Sequence, residues 1–82
     1  MHGANMSPRR TDTGTLRRER IQKLHSMIQG AGDVDLSRLI ATIEYQMGVT
    51  PNKIREYLQV LVTLGFVEVD EAAGLVREVV KA

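Results

Sequence analysis

From Thr15 to Gly65 apolar residues return every three or four positions, and beyond Gly65 they return every two. Ile21, Leu24 and Ile28, with Met27 widening the stripe, give a first helix one apolar face. Thr15 is its expected N-cap, and Gln29-Gly30-Ala31-Gly32 its stop. Leu36, Leu39, Ile40, Ile43 and Met47 mark a second helix with the cleanest stripe in the chain. Asp35 is placed to cap it, Val34 and Leu39 to staple its entry, and Gly48 to end it in the left-handed conformation. Only Val49 and Thr50 intervene before a third helix begins. Thr50 can accept from its first turn, and Pro51 suits the first helical position because its missing N–H would have no partner there. Ile54, Tyr57, Leu58 and Leu61 form its inward stripe, and Gly65 closes it. Phe66 to Asp70 and Leu75 to Val80 then alternate as strands, joined through Glu71-Ala72-Ala73-Gly74 as a hairpin. A lone hairpin is marginal in water, so this one must pack on the helices.

The predicted order is helix, helix, turn, helix, two-stranded hairpin, an α+β domain. The turn between the second and third helices is too short for easy side-by-side antiparallel packing, and it predicts a helix-turn-helix crossing. Residues 1–14 show no periodicity and are expected to be a disordered basic tail before a single domain over 15–82. Met6 is a second candidate start.

This order, together with Gly48-Val49-Thr50-Pro51, Ile54, Leu58, Leu61 and Gly65-Phe66-Val67, resembles the winged helix-turn-helix family of bacterial and archaeal regulators. The resemblance spans roughly residues 15–80. It implies double-stranded DNA binding, with the third helix in the major groove and the hairpin as a wing at the backbone or minor groove. On that reading the helix from Pro51 to Leu64 turns Asn52, Glu56, Gln59 and Thr63 outward, with Lys53 and Arg55 flanking on opposite sides. Asn and Gln can pair with adenine, Arg and Lys with guanine, and Glu can accept from the cytosine amino group. Thr50 with the free N–H groups of the first turn, and Arg38 early in the second helix, are candidate phosphate contacts. The family also includes protein-binding members, and fold does not fix function. A protein-interaction module within a larger complex is therefore the alternative.

Composition bears on this reading mainly through the placement of charge. Residues 1–25 carry six Arg or Lys against two acids, and residues 26–82 carry five against eight. Positive charge thus sits before and within the first helix, while the hairpin tip is acidic at Asp70 and Glu71. Only Arg77 offers the wing a cation. If DNA is bound, Arg9, Arg10, Arg17, Arg18 and Arg20 are expected to supply contacts that the wing lacks. Arginines in a helix's first turn oppose its dipole, which suggests a use outside folding.

Other chemistry has little to build on. The chain has no cysteine, and His2 and His25 stand at no metal-ligand spacing, so no metal site is expected. Ser7, Ser26 and Ser37 have no visible base partner, no Gly-rich phosphate loop is present, and neither a cofactor nor an enzymatic activity is expected. The apolar runs are too short to cross a membrane. The sequence reading is a cytoplasmic transcription regulator or chromatin factor. It is expected to act as a homodimer, since half-sites are usually read by dimers, with the first helix, Tyr45 or the Val79-Val80 strand as candidate contact surfaces.

Overall fold

The structure, a computed structural model, describes residues 7–80, with side chains from residue 14 onward. Three helices and a three-stranded antiparallel sheet form an α+β arrangement consistent with a winged helix. Helix α1 runs Ser7–Ile28, strand β1 Val34–Asp35, helix α2 Leu36–Met47, helix α3 Pro51–Thr63, strand β2 Val67–Asp70 and strand β3 Leu75–Glu78.

The core is the set of stripes read from the sequence. Leu24 and Ile28 of α1, Leu36, Leu39 and Ile43 of α2, and Ile54, Tyr57, Leu58 and Leu61 of α3 are buried. Val67 and Val76 bring the sheet onto this cluster. Val49, in the turn between α2 and α3, is buried as well, so the turn is pinned by a side chain and not by backbone bonds alone. Among the described residues no polar or charged side chain is buried.

Caps explain where the helices begin and end. The Asp35 carboxylate accepts from the Arg38 N–H at 3.0 Å, and Thr50 Oγ1 accepts from the Lys53 N–H at 3.3 Å. Both satisfy donors that a helix start leaves unpaired. Gly48 ends α2 at φ 68°, and its N–H returns to the Glu44 carbonyl. Nothing lies within 4 Å of a Cβ added there, so Gly48→Ala should cost only backbone strain. We expect a loss of about 1–2 kcal/mol, read from a urea denaturation curve with unchanged slope.

Three boundaries differ from the sequence reading. Helix α1 is already formed at Ser7, the first described residue, so Thr15 is an interior residue and residues 7–14 are helical. Neither Pro8 nor Gly14 interrupts the helix, though Gly14 is accommodated at a cost. The remainder of the expected tail, residues 1–6, lies outside the described residues. The sheet has three strands in the order β1-β3-β2, where two were expected. Val34, read as a staple residue, faces Val76 across the β1–β3 pair, and Asp35 faces Leu75. The hairpin strands are also shorter than expected, with Phe66 before β2 and Val79-Val80 after β3.

The hairpin is fastened at both ends. Val69 faces Val76 and Val67 faces Glu78. The Leu36 N–H donates to the Gly74 carbonyl at 2.8 Å, which joins the hairpin turn to the start of α2. Gly74 takes φ 69° in that turn. At the other end, the Gly30 N–H donates to Glu78 Oε1 at 3.0 Å.

Candidate functional site

Burial of Ile54, Tyr57, Leu58 and Leu61 fixes the rotation of α3. Its opposite face then carries Asn52, Glu56, Gln59 and Thr63, all exposed. These four form one ridge, because residues three and four apart share a helix face. Gln59 Nε2 donates to Thr63 Oγ1 at 3.3 Å along it. The ridge lies between two flanks of opposite character.

On the α1 flank, Arg17 stands over the Tyr57 ring with its guanidinium carbon 5.5 Å from the centroid. Its Nη1 approaches Glu56 Oε1 at 3.9 Å, and Lys53 Nζ reaches the same oxygen at 3.4 Å. Glu56 thus gathers two cations at the edge of the ridge. Arg17, Arg20 and Lys53, with Leu16 and Tyr57, line a cleft of about 310 Å³. Lys23 continues the basic side of α1 toward Met47. Three cations line this cleft, with Glu56 beside Arg17 and Lys53 and with Glu19 in the adjoining cleft beside Arg20 and Lys23, so this is the positive side of the ridge.

The wing flank is acidic. Arg55 Nη1 donates to Glu71 Oε2 at 3.0 Å across the cleft between α3 and the hairpin. Arg77 is held from two directions, by Asp33 at 3.0 Å and by Glu68, its cross-strand neighbour, at 3.8 Å. Asp70 Oδ1 accepts from the Ala73 N–H within the hairpin turn. Among the described residues, the wing-side cations Arg55 and Arg77 therefore already have carboxylate partners. All these ion pairs are solvent-exposed, so each contributes little to stability and remains exchangeable.

The structure gathers some of the sequence candidates and separates others. Thr50, Asn52, Lys53, Glu56 and Gln59 share the start and ridge of α3, and Arg17 joins them from α1. Arg55 lies on the other flank with Glu71. Arg77 sits beside the α1–α2 loop through Asp33, not at the hairpin tip. Arg38 is exposed at the start of α2, and its side chain has no ion pair among the described residues. Arg18 lies on the opposite side of α1 from Arg20, along a groove that leads to Phe66. Arg9 and Arg10 lie within helix α1.

Sequence reasoning did not pair Arg55 with Glu71 or Arg77 with Asp33. It also missed the apolar groove, whose sign in the sequence was the valine content of α3. Among the described residues no group of His, Cys, Asp or Glu is placed to hold a metal ion, and no helix is long and apolar enough to cross a membrane. Comparison with known protein families, curated proteins and solved structures finds no match to this chain.

Proposed function

We propose that this chain is a winged helix protein that binds double-stranded DNA as a regulator of transcription in the cytoplasm. The α3 ridge enters the major groove and the α1 flank meets the phosphate backbone. The observation that carries this reading is the exposed polar ridge Asn52-Glu56-Gln59-Thr63 beside a cleft lined by Arg17, Arg20 and Lys53. A phosphate at that cleft meets three cations, of which Arg17 and Lys53 share the one Glu56 carboxylate and Arg20 has no ion pair among the described residues, while the ridge offers donors and acceptors to base edges. The wing flank offers phosphate no free cation among the described residues and presents Glu68, Asp70 and Glu71. The duplex is therefore placed toward α1, with the hairpin tip held away from the backbone. Two copies reading paired half-sites would raise affinity, and Tyr45, 91% exposed on α2, is the side chain proposed for their contact.

Titration of a fluorescent mixed-sequence duplex tests this reading. Binding is expected at low salt and should fall steeply as salt rises. Absence of binding at low salt removes the proposal. Glu71→Gln frees Arg55 on the flank turned away from the duplex, so the salt slope should stay unchanged. A slope steeper by about one counterion would bring the backbone to the wing flank and overturn this orientation. A second reading, as a protein-binding module, draws on the apolar groove on the other side of α1.

A further inference from the structure

Beside the C-terminal half of α3 an apolar groove of about 430 Å³ is open to solvent. Ile21 and His25 of α1 form one wall, and Val60 and Leu64 form the other. Phe66 closes the far end, with its ring stacked on His25 at a centroid distance of 5.0 Å and an interplanar angle of 4°. Leu64 and Phe66 are 54% and 42% exposed, an unusual display for large apolar side chains placed side by side. Along α1 the lining runs Gly14, Arg18, Ile21, His25, one face of the helix over about 16 Å or three turns. At Gly14 nothing lies within 4 Å of where a Cβ would stand, so that end is open.

The charge around the groove is one-sided. Arg17 and Arg18 line the Gly14 end, and none of the lining residues is acidic. Arg18 has no ion-pair partner among the described residues. A second copy of the same face would bring its own Arg17 and Arg18, so these cations would gain no carboxylate from it. An occupant with its own carboxylates would neutralise them.

We propose that this groove receives an acidic amphipathic helix of a partner protein. The helix lies along α1, with its apolar side chains between Ile21, Val60, Leu64 and Phe66 and its carboxylates at Arg17 and Arg18. This is helix-in-groove recognition, in which apolar anchors give affinity and rim charge selects the partner. The proposal gives a surface and a partner chemistry to the protein-binding reading above, and it stands without the DNA reading. The two meet only at Arg17, which an acidic helix would withdraw from phosphate.

The test uses the full chain, without DNA, and two synthetic helical peptides of about three turns. Both carry the same leucine stripe; one has a glutamate polar face and the other a lysine one. In amide NMR titrations the glutamate peptide should shift Ile21, Val60, Leu64 and Phe66 and bind at least about tenfold tighter than the lysine peptide. Arg18→Glu should reverse that preference. Leu64→Gln, at an exposed position, should abolish binding of the glutamate peptide without moving the unfolding midpoint. Equal binding of the two peptides, no shift with either, or undiminished binding to Leu64→Gln overturns the proposal. So does a sedimentation result in which the free chain is a dimer that Leu64→Gln dissociates, since the occupant is then a second copy.

Discussion

Ile54→Ala is expected to remove a large share of the stability of the fold. Ile54 is fully buried in the first turns of α3, within the cluster that joins all three helices to the sheet. Truncating such a side chain removes apolar burial and leaves a cavity, at a cost of about 2–5 kcal/mol. Small domains have only about 5–15 kcal/mol in total. A domain of this size should therefore lose on the order of 10–30 °C in melting temperature. Circular dichroism on heating measures it, and Asn52→Ala is the control. Asn52 lies two residues earlier on the exposed ridge, so its loss should change stability by no more than about 0.5 kcal/mol. Equal melting temperatures for the two variants would mean that α3 is rotated from the orientation described, and the ridge would go with it.

The other large effect concerns the duplex. Arg17→Ala combined with Arg20→Ala removes two of the three cations at the cleft on the α1 flank. If the backbone is held there, about two counterion equivalents leave the salt dependence, and affinity at moderate salt falls roughly 10- to 100-fold. Some stability is lost too, because Arg17 packs over the Tyr57 ring. Binding must therefore be measured well below the variant's melting temperature. Arg77→Ala makes the contrast. Arg77 lies on the wing side, turned from the duplex in the proposed orientation, so its removal should leave the salt slope unchanged. A larger loss with Arg77→Ala than with the α1 pair would place the duplex over the wing and overturn the proposed orientation.

The parts of this molecule that could be read from the sequence are those set by neighbours in the chain. Asp35 and Thr50 cap helices through residues three positions on, and Gly48 stops one through its own backbone. The stripes of α2 and α3 emerge from their spacing, and the outward position of Asn52, Glu56 and Gln59 follows from them. The features that were missed depend on distant partners. A two-residue strand has no period to detect, and Val34 becomes a strand only because Val76 lies opposite. Arg55 and Glu71 are 16 positions apart, and Asp33 and Arg77 are 44 apart. No local pattern announces which of several acids each arginine will meet. The start of α1 was hidden for another reason. Gly14 and Pro8 both weigh against a helix, and only the continuous run shows that neither breaks it.

The central position of β3 has a consequence for how the chain acquires its shape. The β2–β3 ribbon joins residues separated by a single turn, while β1 must find β3 across 42 positions, from Val34 to Val76. Closing so long a loop costs more chain entropy than closing the ribbon. The ribbon and the α2–α3 pair are therefore expected to assemble early, and the two-residue strap to lock on last. Because the strap runs directly into Leu36, whose N–H is held by Gly74, the final event of folding also ties the start of α2 to the hairpin turn. Amide exchange at Leu36 should then report local opening of the strap and run faster than exchange in the buried turns of α3, which waits on global opening.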